Sequence, residues 1–271
     1  MKKLVLVLMI LSICSIGADA FAFIGIDANT VLMLHFNGTD GSTSFADDSF
    51  TPHTVIAHGD AQIDTANKKF GSGSGLFDGN GDYLTSPDSV DWSFGSDDFT
   101  IDFWVNFTDT SGLQYFYSHG RKDGNSLLWF YTVFQQQLIV MNTYDYGTRL
   151  AQYTMEWLPP ENVWYHMAFV RSGPTMYWFL NGVNQPLWED HAIGATAIPD
   201  FPSDIYIGTD DVGKVASVTG YLDEFRISKG TARWTSNFTP PTSEYEVIPE
   251  PTPLLLLGFS LLGVGAFKRK R

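Results

Sequence analysis

"FTIDFWVNF", running from Phe99 to Phe107, alternates without a break. Phe99, Ile101, Phe103, Val105 and Phe107 are apolar, and Thr100, Asp102, Trp104 and Asn106 stand between them. A period of two marks a β-strand with one face in a core and the other largely in water. On that reading Trp104 points to the wet side, where a ligand can lie. Working outward, "VLMLHF" (31–36), "SLLWFYTVF" (126–134), "QLIVMNTY" (137–144) and "VWYHMAFV" (163–170) read as strands too. So do "TMYWFLNG" (175–182), "DIYIG" (204–208) and "GYLDEFRIS" (220–228). They are aromatic and β-branched runs separated by Gly, Asp, Asn and Pro, and "RSGP" before Thr175 is a hairpin turn by composition. No amphipathic helix interrupts residues 27–243. Many short strands with regular turns imply one all-β, two-sheet antiparallel sandwich rather than two domains.

The ends of the chain read differently. Residues 1–20 begin with Lys2 and Lys3, continue apolar from Leu4 to Ile16 and finish Ala18-Asp19-Ala20, the order of a secretory signal peptide cut after Ala20. The only cysteine, Cys14, lies inside that leader, so the exported chain is expected to fold without disulfides. Of 16 Lys and Arg, six lie in the two termini, and of 30 Asp and Glu, two do, which leaves 28 acids and 10 bases between them. A body of that charge repels nucleic acid and anionic lipid.

Four stretches together resemble the laminin-G-like, concanavalin A-like jelly-roll family. They are "TVLMLHFNGTDGSTSFADDS" (30–49), "KFGSGSGLFDGNGDYLTSPDSVDWSFGSDDFTIDFWVNF" (69–107), "VWYHMAFVRSGPTMYWFLNGV" (163–183) and "GYLDEFRISKGTARWTSNFTPP" (220–241). The resemblance implies a jelly roll whose first and last strands pair. It also implies a binding role toward carbohydrate or protein, and in many members a calcium ion at one edge.

Residues 244–271 read as a polar spacer leading into a stretch, from Pro249 on, that resembles a PEP-CTERM sorting signal of exopolysaccharide-producing Gram-negative bacteria. Pro249, Glu250 and Pro251 supply the tripeptide, residues 254–267 a short apolar helix, and Lys268, Arg269, Lys270 and Arg271 a basic stop. Four cations do not cross a bilayer cheaply, so translocation halts there. The resemblance implies signal peptidase and an exosortase as processing partners, transient anchoring in the inner membrane, and release to the cell surface or matrix. A permanent tail anchor is the plainer alternative.

For calcium, a hard cation taking oxygen ligands, the expected set is Asp47 and Asp48 with Asp223 and Glu224, brought together if first and last strands pair. Strict alternation lets only one of Asp223 and Glu224 face a given side. "DGNGD" (78–82) imitates an EF-hand start, but Tyr83 and Ser89 stand where that loop needs Gly and Glu, so a Gly-rich hairpin between two strands is expected. Aromatics make up 15% of the chain, and Trp104, Trp129, Tyr131, Tyr144, Tyr146, Trp178 and Trp188 are the candidates for stacking on sugar rings. None of the six histidines has zinc-motif spacing, and His166 is expected to be structural. "WED" (188–190), taken as loop, matches no paired-carboxylate pattern, and no Gly-x-Ser-x-Gly elbow occurs. The reading is therefore a non-catalytic binding module for extracellular polysaccharide or a surface protein. Its rivals are a calcium-dependent matrix protein without a sugar ligand and a polysaccharide lyase or glycosidase.

Overall fold

A computed structural model describes residues 25–120, 126–210 and 216–248. The expected signal peptide and sorting tail lie outside the described residues, and so do Ala20, Pro249–Pro251 and the basic stop. The strands are β1 (Thr30–Leu34), β2 (Ile56–His58), β3 (Gln62–Asp64), β4 (Ser74–Asp78), β5 (Tyr83–Ser86), β6 (Phe99–Phe107), β7 (Leu113–Gly120) and β8 (Leu127–Val133). They continue with β9 (Leu138–Asp145), β10 (Thr148–Glu156), β11 (Trp164–Ser172), β12 (Thr175–Leu180), β13 (Val183–Asn184), β14 (Trp188–His191), β15 (Ile205–Ile207) and β16 (Thr219–Lys229). Among the described residues there is no α-helix, and none long and apolar enough to cross a membrane.

Two antiparallel sheets result. The first runs β13-β12-β11-β6-β16-β4-β3, with β1 also on β16; the second runs β14-β10-β9-β8-β7-β15-β5-β2. Their inner faces meet in one core, where Phe103 packs on Phe116, Phe169 and Phe225, and Phe107 on Phe134. The two-sheet sandwich expected from the alternation is what forms, consistent with the jelly roll that the resemblance implies, with first and last strands antiparallel (Leu34 opposite Phe225). "RSGP" does turn β11 into β12.

Three local expectations fail for physical reasons. "DGNGD" joins β4 of one sheet to β5 of the other and closes no hairpin. Asp82 holds that crossing, accepting from the backbone N–H of Asp60 and of Asp78 at 2.5 and 2.9 Å. "WED" is part of edge strand β14 rather than loop. And β6 has no wet face, because all nine of its residues are buried.

The outer side of β6 is covered by the chain beyond β16 at Thr100 and Asp102, and by Lys69 and Phe70 at Trp104. Trp234 and Phe238 stack at 4.0 Å and lie on Ala168, Val170 and Phe179. Residue 238 docks by donating its N–H to the carbonyl of Gly182, in an Asn181-Gly182 turn whose positive φ angles (48° and 76°) suit a two-residue hairpin. Farther on, Tyr245 lies over the Arg226 guanidinium at 3.7 Å, and Val247 pairs in parallel with Ile26. The folded unit thus runs past residue 243 to Ile248, and residues 244–248 are not a free spacer.

Candidate functional site

Sequence register builds a continuous row across the outer face of the second sheet. His191, Gln152, Asn142, Trp129, Ser118, Tyr206, Thr85 and Ile56 are successive cross-strand partners. Two residues along, Tyr131 and Tyr115 face each other on the same side. Their rings stack at 4.7 Å, and Trp129 meets Tyr115 edge-on at 5.3 Å. Asn142 donates its Nδ2–H to the Tyr131 hydroxyl at 3.1 Å, while its Oδ1 finds no donor among the described residues. Burial pushes the Tyr131 hydroxyl above its ordinary pKa, so it stays protonated at neutral pH.

The platform has framed ends. Tyr83 stacks on His58 at 4.3 Å, and His58 Nε2 lies 3.0 Å from Thr85 Oγ1. At the other side Arg149 donates to the Tyr144 hydroxyl at 2.8 Å and pairs with Asp190. Tyr115 is itself buried, so the rings that meet solvent are those of Trp129 and Tyr131, half-buried and nearly perpendicular to each other, with Tyr144 and Arg149 at their margin. Such a surface suits a ligand with apolar C–H faces and many hydroxyls.

Trp129 and Tyr131 are half-buried on this face, and Trp188 stands 56% exposed on β14 at the sheet edge. Tyr144 belongs to the platform; Tyr146 lies in the exposed β9–β10 turn. Trp104 and Trp178 do not belong to the platform. Trp178 is core, 3.8 Å from Phe169. Trp104 sits on the outer side of the first sheet, but Lys69 Nζ caps its ring at 3.9 Å and Phe70 meets it edge-on. Sequence reasoning missed Tyr115 and Tyr206. The first lies in β7, whose alternation breaks at a bulge between Tyr115 and Tyr117; the second lies in "DIYIG", read as a strand whose place between β7 and β5 only the pairing shows.

The expected calcium residues are split. Asp47 is saturated: its carboxylate accepts from the N–H of Met33, Ser49 and His53 and from the Ser49 hydroxyl. It pins the 47–53 loop to β1 and has no oxygen to spare. Asp223 and Glu224 both turn to the outer side, against the alternation rule, because a bulge with Glu224 at φ 52° breaks β16 there. The bulge falls where β16 stops pairing with β4 and begins pairing with β1. Asp223 Oδ2 accepts from the N–H of Lys69 and of Phe70, and burial pushes its pKa up to about 8. Glu224 faces His35 Nδ1 at 2.6 Å. Asp48 is exposed, its N–H donating to the Met33 carbonyl at 2.8 Å. An imidazole nitrogen is a poor partner for calcium, so the Glu224–His35 pair does not suit that ion.

The rest of that face is a closed charge network. Asp102 accepts from Arg226 Nε and Nη2 at 2.9 and 3.2 Å and from the Tyr245 hydroxyl at 2.5 Å. His166 Nε2 is 3.6 Å from the same carboxylate, so His166 is structural, as expected. Burial alone raises the Asp102 pKa, but the Arg226 charge and His166 outweigh it and lower it to about 2.

With this geometry in hand, a family model described as the concanavalin A-like lectin/glucanases superfamily (Laminin_G_3) matches residues 78–235. The chain belongs to this superfamily. Among solved structures, it resembles domain 4 of AbnA, a GH43 extracellular arabinanase from Geobacillus stearothermophilus, in complex with arabinotriose. There the TM-score is 0.55 and the identity 18%, covering 75% of this chain and 94% of that one. It also resembles the binding domain of botulinum neurotoxin serotype D (TM-score 0.57, 13% identity, 78% of this chain and 50% of that one). The serotype C1 binding domain is similar (TM-score 0.53, 14% identity, 76% and 50%). The chain thus spans about half the length of the toxin binding domains, and at these identities the likeness is one of fold. No curated protein matches by sequence.

Proposed function

We propose that this superfamily member is an exported, non-catalytic module that binds carbohydrate at the cell surface or in an extracellular polysaccharide matrix. The observation that carries the reading is the Tyr115–Trp129–Tyr131 platform with Asn142 beside it. Rings in fixed stacks lose little freedom when a sugar docks, and the Tyr131 and Tyr144 hydroxyls supply directional contacts. The similar arabinanase domain, which was solved with arabinotriose, supports the same reading by analogy of fold. Of the carboxylates at the rim, Asp145 accepts from Ser126 and Asp190 pairs with Arg149, an arrangement that positions side chains rather than flanking a scissile bond. The acidic body favours a neutral glycan over a polyanionic one. Export rests on the leader and tail composition, with the sorting tail delivering the domain to the outside.

Glycan-array binding of the purified protein, with and without a chelator, tests the proposal. Saturable binding to neutral oligosaccharides supports it. Calcium-dependent self-association with a blank array moves the assignment to a matrix protein, and release of reducing ends or unsaturated sugars moves it to an enzyme.

A further inference from the structure

The second cluster of chemistry lies on the opposite side of the sandwich. His35 follows β1, Glu224 sits in the β16 bulge, and Glu244 belongs to the segment that closes the fold. One ligand atom from each lies within 4.8 Å of the others. Three separate parts of the chain, about 190 and 20 residues apart, converge on one point.

Their surroundings hold the donors in place. Asn37 donates its Nδ2–H to Glu244 Oε1, and Asn37 is itself fixed by the Ser72 N–H and hydroxyl. The Tyr245 N–H donates to Glu224 Oε2 at 2.8 Å, which leaves Oε1 toward His35. Hydrogen bonds one shell out are what orient metal ligands in proteins. Local charge is unbalanced: His35 also feels the carboxylates of Asp48 and Glu244 besides that of Glu224. One residue from Glu224, Asp223 Oδ1 is wholly buried and no donor among the described residues reaches it.

We infer that His35, Glu224 and Glu244 form a site for a divalent cation of the zinc type, which fastens the C-terminal end of the fold to β1 and β16. The donor chemistry selects the ion. One imidazole nitrogen with two carboxylates suits zinc, at about 2.0–2.2 Å per ligand with a water completing the tetrahedron. Two carboxylates and a neutral imidazole also cancel a double positive charge, so a largely buried site is left neutral. Zinc bonds of that length put neighbouring ligand atoms about 3.3–3.5 Å apart. The 2.6 Å contact between His35 and Glu224 then opens by under an ångström as the shared proton leaves. Calcium instead prefers an all-oxygen shell of six to eight ligands, whereas His35 offers nitrogen.

Because Glu244 precedes Tyr245 and Val247, the ion joins the closing segment to the strands on which it lies. Its signature is therefore stability. The test uses the untagged protein after chelation, titrated with zinc chloride or calcium chloride by calorimetry and thermal denaturation. Zinc at a hundredfold excess over its dissociation constant is expected to raise Tm by roughly 5–10 °C, and calcium at the same concentration to leave it unchanged. Glu244→Gln keeps the side-chain shape at a partly exposed position and is expected to bind zinc at least ~10-fold more weakly. Should that variant fold poorly without metal, Asn37→Ala gives the same reading by freeing Glu244 to turn. Absence of zinc binding overturns the inference. So does equal stabilisation by calcium, or unchanged zinc affinity in a folded Glu244→Gln or Asn37→Ala variant.

Discussion

Asp102→Asn is the sharpest perturbation of the fold, because Asp102 is the only carboxylate in contact with the wholly buried Arg226 among the described residues. Two magnitudes follow. The carboxyl pKa falls from 3.8 to about 2, which at about 1.4 kcal/mol per tenfold is about 2.5 kcal/mol of stability. The sign follows from the lowered value: this stability is complete above the unfolded pKa near 4 and is lost as pH falls from there through about 2. Removing the charge outright leaves a buried guanidinium facing an amide, for which about 3–5 kcal/mol is expected. In urea titrations at pH 7, Asp102→Asn should therefore lower the unfolding free energy by that amount. The gap between wild type and variant should then narrow by about 1.8 kcal/mol between pH 4 and 2, and by the full amount only below the folded pKa, a difference in which the other carboxylates largely cancel. Adding Arg226→Met should recover most of the loss, since a buried pair is often replaceable by apolar groups. A loss under about 1 kcal/mol in Asp102→Asn, or a gap that ignores pH, would refute the argument that this pair holds the closing segment on the sheet.

On the platform, Trp129→Ala and Tyr131→Ala should each weaken glycan binding roughly 5- to 50-fold by calorimetry, while Trp188→Ala, out on the edge strand, should change it less than Trp129→Ala does. Tyr245→Phe should cost about 1–2 kcal/mol in chemical denaturation through the lost hydroxyl on Asp102, and Tyr245→Ala about 3–5 kcal/mol, through the exposed guanidinium and the cavity. Asp47→Ala strips four hydrogen bonds from the 47–53 loop; about 2–4 kcal/mol is expected, with faster amide exchange at Ser49 and His53.

By itself the sequence determined the class of fold. The strict period of "FTIDFWVNF" produced β6 with its stated bounds, and "RSGP" produced the β11–β12 hairpin, because alternation and turn chemistry are local properties of the chain. The pairing of first and last strands came from the family resemblance, and it too holds. Half of the platform was also legible: Trp129 and Tyr131 alternate with core residues, and only Tyr115, the partner of Tyr131, and Tyr206, two strands from Trp129, waited on register. Which aromatics meet solvent was not legible. Trp104 alternates like a surface residue yet is buried, because Lys69 and Phe70, from a segment more than thirty residues earlier, fold over its ring. The bulge at Glu224 was equally hidden, since it arises where β16 exchanges β4 for β1, and it alone aims two consecutive carboxylates the same way. Local pattern decides which side of a strand a residue takes; only the tertiary structure decides what lies on that side.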